Sequence, residues 1–332
     1  MDHFQYFSTE DILPRVKLRG HEVKLGQYVK VGFEGKKFVI IGIPESIGVK
    51  GNHGIGGTES LWEAFLDSFL NIQSTNRFTG DEVSILGYFD FKGLLEGSEL
   101  PIDSYRKAVE AIDQEVYLVV REIIVKHKIP IIIGGGHNNC FPIISGVNDG
   151  FLDLEKIAKK GINVINLDAH SDFRPIEGRH SGNGFRYAFE KGIMKKYAII
   201  GLHENYNSQA LIEEMSHKAA IIFSMWEDIF LRGMISYPEA VHQAISFTKG
   251  NYTGIELDMD AIEGVLSSAM TPSGISSKHA RQYVYQTGML CQVAYLHLCE
   301  GAIVLDNGQR DSGTGKLVSY LVSDFIKAHV NF

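Results

Sequence analysis

The sequence predicts an α/β fold in which a mostly parallel sheet is covered by helices on both faces. Three observations predict it. Apolar, strand-like runs alternate with helical patterns along the chain. Several runs, such as Ile131–Ile133 and Val164–Leu167, read as strands buried on both sides. Polar motifs then stand at the ends of these runs, the edge at which open parallel sheets bind ligands.

The elements follow in order. Residues up to about Lys36 are mixed and receive no assignment. Lys37–Pro44 is the first clear strand, and it runs into a loop rich in glycine (Gly48, Gly51, Gly54, Gly56, Gly57). A helical pattern covers Ser60–Asn71, and residues 83–88 read as a second strand. Val109, Ile112, Val116, Val119, Val120, Ile123 and Ile124 have helical spacing, which predicts a helix over Ser104–His127. Pro130 is expected to end that helix and open the strand leading into Gly134. Further strands fall near 163–168, 197–202, 219–223, 253–258 and 292–299, with a last helix near 315–329. No internal repeat or low-complexity linker interrupts the pattern.

With 332 residues, 44% of them hydrophobic, the chain can bury a sizeable core. A single domain spanning 1–332 is expected, because three separated ligand motifs must converge on one site. The net charge of −8 excludes a nucleic-acid partner as the leading reading, since no basic patch is present to neutralise phosphates. The first residues lack the basic and apolar regions of a signal peptide, and the apolar runs are too short for a bilayer. Three cysteines (Cys140, Cys291, Cys299), without metal-ligand spacing, suggest free thiols in a reducing compartment. The expectation is a cytoplasmic protein that does not engage membranes.

The chemistry is carried by three motifs: Gly134-Gly135-Gly136-His137, Asp168-Ala169-His170-Ser171-Asp172 and Asp258-Met259-Asp260. They supply two imidazoles and four carboxylates. Alternation places Asp168, His170 and Asp172 on one face of extended backbone, and Asp258 and Asp260 likewise. A carboxylate at the end of a buried strand is costly unless it is paired or holds a cation. Six such ligands, with no cysteine among them, exceed one closed zinc site. Oxygen-rich ligation with two imidazoles suits Mn²⁺ or a similar ion. Carboxylates shared between two ions suit a pair that activates one water. The pattern therefore points to a binuclear metallohydrolase. Gly51–Gly57 lacks the Lys-Ser/Thr ending of a phosphate-binding loop and is read as a pocket rim.

At these residues the chain resembles the ureohydrolase family of arginase, agmatinase and formimidoylglutamase. The similarity runs from the glycine-rich loop after Pro44 to the final helix. It implies a three-layer α/β/α sandwich, commonly assembled as trimers or hexamers. The resemblance implies one Mn²⁺ on His137, Asp168, Asp172 and Asp258. A second would lie on Asp168, His170, Asp258 and Asp260, with Asp168 and Asp258 shared; Ni²⁺ or another divalent ion also fits. It further implies that Glu300 pairs with an amidine or guanidine group, and that Asp172 shuttles a proton to the departing nitrogen.

Within the family the chain is most similar to formimidoylglutamases, which continue Asp-x-Arg-Pro and then Ser-Gly-x-x-Phe-Arg; here these are Asp172–Pro175 and Ser181–Arg186. Arg174 and Arg186 are expected to clamp a substrate that ends in carboxylates, since guanidinium forks match carboxylate geometry. Asn183 and His203 are expected to contact substrate as well, His203 with a structural role as its alternative. Glu204 carries the same pair of readings. Asn138 orients the metal shell or caps the following helix, whereas His297, Cys299 and Cys140 are read as packing residues. The chain departs from the family at Asn138, where Glu is frequent, and at Glu263, where Asp is common.

The leading expectation is hydrolysis of N-formimidoyl-L-glutamate to glutamate and formamide in histidine breakdown. The alternatives are a guanidino substrate (arginine, agmatine or a guanidino acid) and a catalytically silent, metal-binding family member. A deacetylase of similar topology lacks support, because its paired-histidine signature is absent.

Overall fold

A computed structural model describes residues 2–95, 97 and 100–330. Ten strands form one sheet: β1 (Phe4–Tyr6), β2 (Lys30–Val31), β3 (Phe38–Gly42), β4 (Val83–Phe89), β5 (Ile129–Ile133), β6 (Ile162–Leu167), β7 (Met194–Leu202), β8 (Ile221–Met225), β9 (Thr253–Asp258) and β10 (Val293–Cys299). Their order is β1-β4-β3-β5-β10-β9-β6-β7-β8, with β2 also pairing β4. All pairs are parallel except β1 with β4.

The sheet is buried on both faces, which is why its central strands carry apolar runs rather than alternation. Phe38, Ile40, Ile131, Ile133, Leu296 and Leu298 pack with helices Leu61–Phe69, Tyr237–Thr248, Ser277–Leu290 and Thr314–Val330. Val39, Ile41, Ile132, Val164 and Ile199 pack on the opposite face with Ile102–Val125, Cys140–Asp153 and Gly184–Glu190. The result is a three-layer α/β/α sandwich.

Two sequence expectations differ. The long helix ends at Val125, ahead of His127, whose φ of 58° breaks the helical path. Pro130 lies inside β5 instead of before it. Its missing N–H is harmless there: Ile129 donates to Lys37 on the β3 side, so the Pro130 nitrogen points the other way, ahead of the β10 pairing that starts at Ile131. The unassigned N-terminal segment supplies β1 and β2, which are too short for any periodicity to reveal. Among the described residues no helix is long and apolar enough to cross a membrane.

The strand order decides where the chemistry sits. β5, β10, β9 and β6 are adjacent, and the chain reverses its direction of growth among them. Open sheets bind ligands beyond the carboxyl ends of strands at such a reversal. Asp258 ends β9, Asp168 and Glu300 follow directly on β6 and β10, and His137 lies just past the glycine turn after β5.

Candidate metal centre

The Gly134–His137 turn places an imidazole under the sheet edge. Gly134 and Gly135 have φ of 88° and 77°, and a Cβ on Gly135 would lie 2.5 Å from Asn139 Nδ2. Only glycine meets both demands. His137 is fully buried, and its Nδ1 lies 2.8 Å from Asp172 Oδ2, 3.1 Å from Asp258 Oδ2 and 3.3 Å from Asp168 Oδ2. On the pocket side, His170 Nδ1 lies 3.2 Å from Asp260 Oδ2 and 3.7 Å from Asp168 Oδ1.

Local backbone bonds aim these carboxylates. Asp168 Oδ1 accepts from the His170 N–H at 2.7 Å, and Asp258 Oδ1 accepts from the Asp260 N–H at 2.8 Å. Asp172 and Glu300 adopt φ of 44° and 62°. Such backbone is costly for residues other than glycine, and it is tolerated where the surroundings over-determine it.

Among the described residues three donor groups have ligand atoms within 4.8 Å of one another: His137, Asp168, Asp172 and Asp258; Asp168, His170 and Asp260; and His137, His297 and Cys299, which lies on the buried side of His137. All six sequence-selected ligands are thus brought together, with Asp168 shared. Asp258 falls in the first group and not in the second.

The electrostatics fit a cation. Burial, followed by the charge of Asp172, pushes Asp168 up to about 6. Burial, then Asp260 and Asp168, pushes Asp258 well above the usual carboxylate range. One Nδ1–H cannot satisfy three carboxylates, and Asp260 Oδ1 is buried without a hydrogen-bond partner. Hard oxygen donors with imidazoles in this arrangement suit divalent ions such as Mn²⁺.

A second layer supports His137. Glu256 Oε2 lies 3.5 Å from His137 Nε2, and Glu256 is bound by His297 Nδ1 at 2.6 Å and the Tyr295 hydroxyl at 2.6 Å. Burial alone would raise Glu256, but the His297 and His137 imidazoles hold it at about 2. His297 is therefore part of a polar network, not packing alone. Glu256 acts on the His137 ring through its charge, since His137 Nε2 makes no hydrogen bond among the described residues. The signal was present in the sequence, since Glu256 interrupts an otherwise apolar strand.

The centre opens into a cavity of about 580 Å³. Its described wall includes His170, Asp172, Arg174, Asp258, Asp260 and Glu300, together with Asn52, Tyr206, Asn207 and Glu214. Glu300 Oε1 accepts from the His137 N–H at 2.8 Å, and burial pushes this carboxyl up to about 8. Arg174 is half-exposed on the wall; it donates to Asn52 Oδ1 at 3.0 Å and Glu177 Oε1 at 3.2 Å.

Three residues expected to contact substrate lie off the described cavity wall. Arg186 is 7% exposed and lies outside the described wall. Its fork is taken by Glu214 and the Phe173 carbonyl, and its guanidinium stacks 4.1 Å from the Phe173 ring. Asn183 is fully buried, accepting from Arg179 and donating to the Gly178 carbonyl. His203 is buried behind Tyr206, its ring stacked between Tyr206 at 5.0 Å and Trp226 at 5.1 Å. Tyr206 in turn stacks on His170 at 5.2 Å, so it is the tyrosine that faces the cavity. Glu204 points outward to Arg232.

Asn207 and Asn52 were not anticipated. Asn207 ties the ligand loop down, accepting from the Ser171 N–H and donating to the Ala169 and His203 carbonyls. Single asparagines in loops carry no periodic signal, so nothing in the sequence marks them.

A family model described as Arginase family matches residues 36–326. The formimidoylglutamase of Streptococcus gordonii is 27% identical over 231 residues, covering 68% of this chain and 64% of that protein. That of Streptococcus pyogenes serotype M3 is 25% identical over 235 residues, covering 68% and 65%. The matched region thus spans just under two thirds of these relatives. The formimidoylglutamase structure from Bacillus subtilis superposes with a TM-score of 0.72 at 17% identity, covering 94% of each chain. Trypanosoma cruzi formiminoglutamase with Mn2+2 gives 0.70 at 20% identity, covering 92% of this chain and 98% of that one. At these identities the superpositions show the shared fold.

Proposed function

Because this chain belongs to the arginase family, we propose that it is a binuclear metal-dependent hydrolase of linear amidine C–N bonds. Its substrate is N-formimidoyl-L-glutamate and its products are L-glutamate and formamide. The observation that carries this reading is the clustering of six candidate ligand side chains at the floor of one cavity, whose wall includes His170, Asp172, Asp258, Asp260 and Glu300. Similarity to formimidoylglutamases supports the substrate, and the manganese of the Trypanosoma cruzi structure supports Mn²⁺, with Ni²⁺ or another divalent ion also compatible.

When bound, a pair of divalent ions would lower the pKa of a shared water so that hydroxide is available near neutral pH. His137, Asp168, Asp172 and Asp258 would hold one ion, and Asp168, His170, Asp258 and Asp260 the other. Glu300 orients the amidine through the carboxylate oxygen left free by His137. A cationic amidine beside it favours the charged carboxylate against the upward push of burial. Asp172, on the cavity wall, carries the proton to the departing nitrogen. Arg174 pairs with a substrate carboxylate. The reading includes a cytoplasmic homo-oligomer, trimeric or hexameric as in the family it resembles.

A guanidino substrate is the second reading, favoured by the Arg174 fork being already engaged by Asn52 and Glu177. The two separate on a panel. The Mn²⁺-loaded protein is offered N-formimidoyl-L-glutamate, arginine, agmatine and guanidinobutyrate, and products are followed. Formamide and glutamate from the first alone supports the proposal; urea release moves the activity to the second reading. Turnover of none would favour the silent, metal-binding alternative.

Arg174→Ala is expected to raise KM for the dicarboxylate about 10- to 100-fold, since a hydrogen bond to a charged group contributes about 1.5–3 kcal/mol. KM for a neutral amidine should barely move. Equal shifts on both substrates would remove the clamp assignment.

A further inference from the structure

Glu45 takes no part in the chemistry above, yet it is buried directly behind it. It follows Pro44, in the loop that leaves β3, and is 3% exposed. An isolated buried carboxylate is prohibitively costly; this one is met by five N–H donors that divide between its two oxygens. Oε1 accepts from the Gly136 N–H at 3.1 Å, Asn138 Nδ2 at 3.2 Å and Asn139 Nδ2 at 2.7 Å. Oε2 accepts from the backbone N–H groups of Ile47 at 2.6 Å and Gly48 at 3.1 Å.

The two sets belong to different parts of the site. Gly136–Asn139 is the turn that carries His137, and the N–H of His137 is in turn held by Glu300. Ile47 and Gly48 open the short helix Ile47–Gly51, from which Val49 and the following Asn52 reach the cavity wall. The two parts touch closely, for a Cβ on Gly48 would lie 1.8 Å from Asn138 Oδ1.

We infer that Glu45 is a positioning residue that clamps the substrate rim to the ligand-bearing turn, so that order at one is transmitted to the other. Only an acceptor at both ends can do this. A glutamine of equal size has one oxygen and one NH₂ group, and its NH₂ must face backbone donors on one side or the other. Either way the Gly136 N–H, or those of Ile47 and Gly48, lose their acceptor, and backbone amides cannot flip to compensate. The functional consequence rests on the metal-dependent reading above; the clamp itself does not.

The test is hydrogen exchange on the metal-free full chain, comparing wild type with Glu45→Gln, and Glu45→Asp as a milder variant should the first fold poorly. Faster exchange is expected in both 46–52 and 134–140, with the central strands unchanged. Mn²⁺ added to the wild type should slow exchange at 46–52, a segment that supplies no ligand, and this transfer should vanish in the variant. Mn²⁺ affinity should fall about 10- to 100-fold, as for other residues that orient ligands, and KM should rise. Faster exchange on one side alone, or on neither, would overturn the clamp, as would a lowered melting temperature with unchanged exchange in both segments. A wild type that binds no Mn²⁺ would defeat the proposed function, while the metal-free exchange would still decide the clamp.

Discussion

Replacing Asp172 with Asn is expected to lower kcat by about 100- to 10,000-fold, the contribution typical of a positioned acid or base, with at least one divalent ion retained. The substitution isolates chemistry from folding. Asp172 sits at φ 44°, a conformation Asn adopts more readily than most residues. The amide also keeps one oxygen to face His137 Nδ1, now 2.8 Å from Asp172 Oδ2. What disappears is a group that can take up and release a proton on the cavity wall. Rate measurements with metal content by elemental analysis check it. A near-wild-type rate would remove the shuttle role, and loss of both ions would recast Asp172 as a ligand first.

Replacing Arg179 with Met should cost about 3–5 kcal/mol of stability, the range for breaking a buried ion pair by removing one partner. Arg179 is 2% exposed, and its Nε and Nη2 bind Asp113 at 2.8 and 3.1 Å. It also donates to the Asn138 carbonyl at 2.7 Å and stacks between Phe141 and Tyr187, each 4.8 Å away. Without it, Asp113 remains buried with no ion-pair partner in contact among the described residues, and only the more distant Lys191 charge acts on it. Urea unfolding measures the loss. Adding Asp113→Leu should recover part of it, because the buried carboxylate is removed while the Asn138 carbonyl and Asn183 Oδ1 still lose their Arg179 donor. A single-variant loss below about 1 kcal/mol would show that solvent reaches Asp113.

These two residues differ in how visible they are in the sequence. Asp172 belongs to a five-residue pattern whose residue types mark a ligand set, although the expected extended backbone is absent: β6 ends at Leu167, Asp172 has a φ of 44°, and Asp260 sits in a 3₁₀ turn. Arg179 looks like any charged residue in a loop, and its partner Asp113 lies 66 positions away. The same reason explains the misplacement of Arg186. Its motif was legible, but its fork closes on Glu214, 28 residues distant. A long side chain chooses its partner through space, so spacing along the chain says little about which acid it finds. Arg174, in the preceding Asp172–Pro175 segment, does reach the cavity.

The sequence by itself determined the alternation of strands and helices, the mostly parallel sheet and the residues of the candidate metal centre. Each of these is encoded locally, in apolar runs, helical spacing and carboxylates that would be ruinous at strand ends without a cation. Only the tertiary structure decided that β10 inserts between β5 and β9, which brings Glu300 beside His137. It also decided that Glu256 and Glu45 stand behind the candidate ligands and that Arg186, off the described wall, pairs with Glu214. Those outcomes depend on which buried groups meet across the sheet, and a buried polar group is satisfied by whatever partner the packing delivers.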